Sequence, residues 1–227
     1  MKVIVFDMDD TLYDEFNYVK SGFNAVANFL SSEVDVCSDD IYNWMWNRLK
    51  THGRGKIFDD LLFAHKVYSR ALANRCLSVY RLHKPNMELP IESIRIIKKL
   101  EKHSCYIVTD GNRIVQSNKV KALGLDKKMV HCYITHRYGR KHSKPSPYCF
   151  LQIAKRENIN PSEIVYVGDN SRKDFVGIKP FGFRTIRIMT GQHKNVEMTE
   201  EYEAEVRINS IGELPYALKK IWNDFEV

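Results

Sequence analysis

The sequence has no apolar run that approaches the roughly 20 residues needed to cross a bilayer. Its N-terminus shows no secretory pattern, because one lysine precedes a short apolar run at 3–6 and acidic residues follow at once. It also contains no internal repeat and no low-complexity linker. These absences argue against a membrane-spanning, secreted or repeat protein, and we expect no membrane partner.

Cysteine and histidine are present without a recognisable ligand spacing. The five cysteines are odd in number and well separated, with no CxxC pair, so no zinc or redox motif is indicated. The eight histidines form no HxH or HxxxH pair. This pattern fits a reducing, cytoplasmic compartment in which the thiols are buried and inert.

The formal net charge of +7 admits an anionic partner without identifying it. Basic residues are spread along the chain, and the densest cluster is HRYGRKHSK at 136–144. A nucleic-acid-binding protein would be expected to add an aromatic-studded basic groove or a recognition-helix motif, and neither is found. Nucleic-acid binding therefore stays an alternative suggested by charge alone, and we expect no nucleic-acid partner.

Short apolar runs alternate with amphipathic stretches of helix length, which indicates a parallel α/β sheet. The runs at 2–6, 105–109 and 164–168 are almost continuously apolar, as is typical of strands covered by helices on both faces. Further strands are predicted at 131–135, 184–188 and 204–208, and helices at 90–102, 114–124 and 146–158.

The region 14–87 has a different composition from the rest of the chain. It contains no convincing strand and is rich in aromatic residues. Three or four helices packed on each other would account for it, with most of the aromatic side chains in their core. We therefore expect a helical domain at 14–87, inserted after the first strand, and an α/β core domain made of 1–13 and 88–227.

Acidic residues crowd the carboxyl ends of the three most apolar strands. The first strand is followed by Asp7 and Asp9, the second ends in Thr109 and Asp110, and the third is followed by Asp169. Ligands of open parallel sheets bind at this edge, so these residues are expected to converge. Clustered carboxylates repel one another unless a cation lies among them. Oxygen ligands with no nearby cysteine or histidine favour Mg²⁺, which commonly shares its site with a substrate phosphate.

Such a site suits phosphoryl transfer. One carboxylate can act as nucleophile and form an aspartyl-phosphate. A second carboxylic acid can protonate the leaving oxygen and then activate water. Two further charged residues belong to the same edge if the strands are neighbours, namely Lys144 in SKPSP and Asp174 in GDNSRKD.

Four segments, DMDDTLYD, VTDGN, SKPSP and VGDNSRKD, resemble in order and spacing the four motifs of the haloacid dehalogenase-like (HAD) hydrolases. The resemblance extends over essentially the whole chain. The helical region after the first motif is similar to the helical cap of the phosphoglycolate phosphatase and β-phosphoglucomutase branch. The resemblance to this family implies a Rossmannoid α/β core with a small all-helical cap. It also implies a Mg²⁺-dependent phosphatase that works through an aspartyl-phosphate.

The resemblance also implies roles for the four aspartates of the first and last motifs. Asp7 would be the nucleophile and a Mg²⁺ ligand. Asp9 would be the general acid/base and would give its backbone carbonyl to the metal. Asp169 would be a further metal ligand, and Asp174 would hold metal-bound waters or a neighbouring lysine.

The two middle motifs would bind the phosphoryl group. Thr109 and the backbone amide of Asp110 would contact the transferring phosphoryl oxygens. Lys144 would neutralise phosphoryl charge and steady Asp7. In the helical region, Arg54 lies between two glycines in THGRGKIFDDLL, at 51–62. It is either an anion-binding residue that selects the substrate or part of a solvated turn.

Asp9 favours a phosphatase over a dehalogenase, because the dehalogenases of this superfamily lack an acid two positions after the nucleophile. An acid there serves a leaving alkoxide and has no use in carbon–halogen displacement. A phosphomutase of the same superfamily and a non-catalytic HAD scaffold are the alternatives. The sequence indicates a small phosphomonoester, such as a sugar phosphate or a nucleotide-like compound, without identifying it.

Overall fold

The computed structural model describes residues 2–226, and the chain divides into two compact units. The sheet unit contains the residues up to Glu15 and those from Glu88 onward, and the helical unit is Phe16–Met87. The helical unit therefore begins two residues after the predicted start at residue 14.

Six strands form the sheet, namely β1 Val3–Phe6, β2 Ser104–Thr109, β3 His131–Ile134, β4 Ile164–Gly168, β5 Arg184–Ile188 and β6 Val206–Ile208. All pairings are parallel, and the order across the sheet is β3-β2-β1-β4-β5-β6. Phe6 of β1 pairs with Ile107 of β2 and with Val167 of β4. The carboxyl end of β1 therefore lies between those of β2 and β4, and the predicted parallel α/β core is confirmed.

The described part of the chain contains eight α-helices: α1 Phe16–Ser31, α2 Ser38–His52, α3 Ile57–Ala64, α4 Arg70–Leu82, α5 Ile91–Lys99, α6 Arg113–Ala122, α7 Tyr148–Glu157 and α8 Leu214–Ile221. The first four make up the helical unit, and the last four belong to the sheet unit. None of the helices between residues 2 and 226 combines the length and the apolarity that a bilayer span requires.

Both faces of the central strands are buried, which explains their almost continuously apolar sequences. Ile4 and Val5 of β1 point to opposite faces, and both are 0% exposed. On one face, the ring of Phe150 from α7 meets the ring of Tyr166 from β4 edge-on, with centroids 4.8 Å apart. Helix α7 thereby covers the middle of the sheet and begins close to its carboxyl edge.

The helical unit has its own core. Its described residues, 16–87, contain no strand, and buried side chains such as Val26, Ile41 and Met45 lie between the helices. Phe23 of α1 makes edge-to-face ring contacts with Trp46 and with Phe58, each with centroids 6.4 Å apart. Much of the aromatic content of this region therefore stabilises helix packing.

Candidate active site

The carboxyl edge of the sheet brings together side chains from three neighbouring strands. Asp7 follows β1, Thr109 is the last residue of β2, and Asp169 follows β4. The backbone N–H of Asp7 donates to the carbonyl of Val167 at 2.8 Å, so β1–β4 pairing continues into the site. All three residues are buried, with between 1% and 6% of each residue's surface exposed.

Lys144 reaches this edge from the segment before α7. Its Nζ donates to Oδ1 of Asp7 at 2.9 Å and lies 2.8 Å from Oδ1 of Asp174. It also donates to the hydroxyl of Tyr166 at 2.8 Å. Burial works to lower the pKa of Lys144, but the Asp174 and Asp7 carboxylates outweigh it and raise the pKa well above its usual value. Lys144 is therefore a permanent buried cation between two aspartates.

Asp7, Asp169 and Asp174 form a buried cluster in which one carboxylate oxygen from each lies within 4.8 Å of the others. Burial raises the pKa of Asp7 to about 7, with Lys144 opposing the shift. Burial, reinforced by the charges of Asp7 and Asp174, raises the pKa of Asp169 to about 9. One lysine does not balance three carboxylates, and the donors are all hard oxygens. This donor set fits a small divalent cation such as Mg²⁺.

The cluster contains the two side chains that were expected to bind the metal, Asp7 and Asp169, and one that was not, Asp174. Asp174, which was expected to hold waters or a lysine, contacts Lys144 and also lies with Asp7 and Asp169. Its Oδ2 accepts from the backbone N–H of Asn170 at 2.9 Å, which orients the carboxylate. The Asp9 side chain, by contrast, contacts α6.

Asp9 is held by three donors that the sequence analysis did not identify. Oδ1 of Asp9 lies 2.8 Å from Nζ of Lys119 and accepts a hydrogen bond from the hydroxyl of Tyr13. Its Oδ2 accepts from Nε2 of Gln116 at 2.9 Å. Burial works to raise the pKa of Asp9, but Lys119, with the hydrogen bonds, outweighs it and holds the pKa below its usual value. The side chain is therefore a carboxylate in a fixed orientation.

Asp110 contributes its side chain to the architecture of the site. Its Oδ1 accepts from the hydroxyl of Thr135 at 2.7 Å and from the backbone N–H of Lys144 at 3.1 Å, and its Oδ2 lies 3.3 Å from Nζ of Lys173. Burial works to raise the pKa of Asp110, and the charges of Lys144 and Lys173 outweigh it and lower that pKa. Asp110 thus ties the segment that carries Lys144 to the end of β2.

Five residues around the site were not predicted from the sequence: Tyr13, Gln116, Lys119, Tyr166 and Lys173. A weak signal exists for Gln116 and Lys119, which are polar residues three positions apart on a helix and therefore share one face. Tyr166 gave no signal of its own, because an aromatic residue inside an apolar strand is ordinarily core.

Arg54 lies in the helical unit, between α2 and α3. It lines a cavity of about 560 Å³ whose walls come from the helical unit alone. Lys56, Asp59, Arg70 and Tyr80 also line this cavity, together with apolar side chains of α1, α3 and α4. Three cations and one carboxylate give its polar lining an excess of positive charge.

Comparisons with known proteins agree with this architecture. The family model "haloacid dehalogenase-like hydrolase" matches residues 1–182. The glyceraldehyde 3-phosphate phosphatase of Pyrococcus furiosus is 29% identical, over 97% of this chain and 94% of its own. The (S)-2-haloacid dehalogenase 4A of Burkholderia cepacia is 25% identical, over 94% of this chain and 93% of its own. The crystal structure of the HAD-hydrolase YfnB of Bacillus subtilis, 17% identical, superposes with a TM-score of 0.68 over 96% of this chain and 98% of that one.

Proposed function

The chain belongs to the haloacid dehalogenase-like hydrolase family, and from that premise we propose that it is a Mg²⁺-dependent phosphatase that hydrolyses a small phosphomonoester through an aspartyl-phosphate on Asp7. The predicted family and the predicted class of phosphoric monoester hydrolase are confirmed. The observation that carries the mechanism is the buried Lys144, which holds Asp7 at 2.9 Å beside Asp169 and Asp174.

In the first step, a carboxylate oxygen of Asp7 attacks the phosphorus of the ester. Asp9 is a carboxylate before the substrate binds, and the negative charge of the bound phosphoryl group raises its pKa so that it takes up a proton. The new P–O bond to Asp7 forms as the bond to the leaving oxygen breaks, and Asp9 gives this proton to that oxygen. Thr109, the backbone amide of Asp110 and Lys144 hold the charged oxygens of the phosphoryl group. Lys144 also keeps the Asp7 oxygen directed along the sheet edge.

In the second step, water attacks the phosphorus of the aspartyl-phosphate. Asp9, now a carboxylate, takes a proton from the water, the bond between phosphorus and Asp7 breaks, and inorganic phosphate leaves. Asp7, Asp169 and Asp174, the residues whose oxygens cluster, would hold the Mg²⁺, and the bound ion would offset negative charge on the phosphoryl oxygens. The fixed carboxylate of Asp9 supports its role in this step.

Asp9 also supports phosphatase over dehalogenase chemistry, although a dehalogenase is among the relatives. A halide leaves without a proton, whereas an alkoxide requires one. A dehalogenase would have no use for the half-buried carboxylate of Asp9 that Lys119 and Gln116 hold in place. In a phosphatase, the same carboxyl group serves both steps.

The substrate class we propose is a small sugar phosphate or a nucleotide-like phosphomonoester. The name of the Pyrococcus furiosus relative, a phosphatase of a three-carbon sugar phosphate, supports the first of these. We propose further that Arg54 takes part in substrate selection, because it lines a cavity with excess positive charge. A cytoplasmic location is also proposed, since all five cysteines are free thiols.

The test is a screen of phosphate esters for released inorganic phosphate, with and without Mg²⁺, on the wild-type protein and on Asp7→Asn. We expect Mg²⁺-dependent release that Asp7→Asn abolishes. Conversion of a sugar phosphate into its isomer without free phosphate would identify a phosphomutase instead. No turnover of any ester would identify a non-catalytic scaffold. With the best ester in hand, Arg54→Ala should raise KM more than it lowers kcat, and Arg81→Ala on α4 is the matched control.

A further inference from the structure

Gln116 forms hydrogen bonds with Asp9, the proposed general acid/base, and with Thr109, which is proposed to bind the phosphoryl group. Its amide nitrogen, Nε2, donates to Oδ2 of Asp9 at 2.9 Å and to the hydroxyl oxygen of Thr109 at 2.7 Å. An amide NH₂ group has two hydrogens, so it satisfies both acceptors at once. Resting on the proposed function, we propose that Gln116 is a positioning residue that aims the Asp9 carboxyl group at the leaving oxygen.

Helix α6 is built to present Gln116 at this point. Its first turn is capped by Asn112, whose Oδ1 accepts from the backbone N–H of Ile114 at 3.0 Å. The helix therefore begins immediately beyond the end of β2, and its direction is set there. Gly111 leaves the room for the long amide side chain, because a Cβ at Gly111 would lie 3.2 Å from Cγ of Gln116.

The orientation of Asp9 depends on donors placed on both of its oxygens. Lys119, one turn further along α6, lies 2.8 Å from Oδ1, and Gln116 donates to Oδ2. With only one oxygen held, the carboxyl group could rotate about its Cβ–Cγ bond, whereas contacts to both oxygens fix the plane of the group. Gln116 and Lys119 are each 2% exposed, so water competes poorly for these contacts.

The contact to Thr109 has a second consequence. A hydroxyl oxygen that accepts from Gln116 keeps its own hydrogen available for donation. A phosphoryl oxygen of a bound ester is an acceptor of the required kind. Gln116 therefore orients the donor that binds the phosphoryl group and the acid that protonates the leaving oxygen through a single nitrogen atom.

The test uses two esters of similar size that differ in leaving group, phenyl phosphate and p-nitrophenyl phosphate, each with Mg²⁺ present. Phenolate is the poorer leaving group, so its departure depends more on protonation by Asp9. General acid catalysis typically raises the reaction rate by about 10²- to 10⁴-fold, and an acid in the wrong orientation gives only part of this rate increase. We expect Gln116→Met to lower kcat/KM for phenyl phosphate about tenfold more than for p-nitrophenyl phosphate.

The matched control is Gln152→Met, the same substitution at a half-buried position of α7, which should change neither value more than about twofold. In an Asp9→Asn background, Gln116→Met should have no leaving-group-dependent effect, because the group that it positions is gone. If Gln116→Met does not fold, Gln116→Glu carries the comparison, since it keeps the side-chain shape and loses the donating amide.

An equal loss of kcat/KM on both esters, or no loss, would overturn the positioning role, since a merely structural residue affects both esters alike. That outcome leaves the proposed function standing as long as the wild-type protein releases phosphate and Asp7→Asn does not. Absence of Asp7-dependent release from either ester would instead refute the proposed function, and the positioning role with it.

Discussion

Replacement of Lys144 by methionine removes a buried cation from the cluster of aspartates. The lysine side chain is 1% exposed, and its partners Asp7 and Asp174 are 8% and 0% exposed, so solvent hardly screens these ion pairs. Removal of one partner from a buried pair typically costs about 3–5 kcal/mol, because the remaining charge is uncompensated. For metal-free Lys144→Met at pH 8 we therefore expect a loss of roughly that size in the free energy of unfolding.

The pH dependence of this loss follows from the direction of each pKa shift. The pKa of Lys144 is raised above its ordinary 10.5, so deprotonation of the lysine itself removes stabilisation only above pH 10.5. Lys144 thus stays charged at pH 5 and pH 8. The pKa of Asp7 is raised to about 7, so its carboxyl group is largely protonated at pH 5. The variant should therefore lose less stability at pH 5 than at pH 8.

The assay is urea unfolding of the metal-free wild-type protein, Lys144→Met and Lys141→Met at both pH values. Lys141 is an exposed lysine three residues earlier in the same segment, and its replacement should change the free energy of unfolding by no more than about 0.5 kcal/mol. A loss below about 1 kcal/mol for Lys144→Met at pH 8, the range of a surface ion pair, would refute the reasoning. So would an equal loss at pH 5 and pH 8.

Two further predictions concern the metal and the backbone near Lys144. Because the pKa values of Asp7 and Asp169 are raised from 3.8 to about 7 and about 9, the folded protein keeps protons that the unfolded chain releases, and metal-free stability should fall as the pH rises through this window. Mg²⁺ should therefore raise the thermal midpoint more at pH 8 than at pH 5, and equal shifts would contradict the assignment of these residues as ligands. Gly177→Ala would place a Cβ 1.6 Å from the backbone oxygen of Pro145; we expect it to lower stability by about 1–3 kcal/mol or more and to lower phosphatase activity. Gly55→Ala, with no neighbour within 4 Å of the new Cβ, is the control, and similar unfolding free energies for the two variants would show that the close approach is not needed.

Much of the sheet could be predicted because its sequence pattern is local. Each predicted strand overlaps an observed one, and β4 and β5 agree at both ends. The short apolar run of β4 is typical of a fully buried parallel strand, and the β-branched residues Thr185, Ile186 and Ile188 favour a strand at β5. Helix α8 was not predicted. Its eight residues include Pro215 in the first turn, where proline is tolerated, and such a short helix gives a weak periodic signal.

The residues that hold Asp9 could not be predicted in the same way. Gln116 and Lys119 are 107 and 110 positions away from Asp9 in the chain, and their contacts exist because β1 and β2 are neighbours in the sheet. A polar residue on a helix is ordinarily solvated. Whether such a residue instead contacts Asp9 depends on its burial in the folded protein, which a local sequence pattern does not specify.

By itself, the sequence determined the strands, the helical region, the aspartates that follow strand ends and the lysine of the third motif, because apolar periodicity and the four motifs are each contained in consecutive residues. Only the tertiary structure decided that a carboxylate oxygen of Asp174 lies within 4.8 Å of those of Asp7 and Asp169, and that Asp9 is held by residues of α6. These are matters of distance and burial between segments remote in the chain. Electrostatic interactions act through space, and the order of the strands brings these segments within reach of one another.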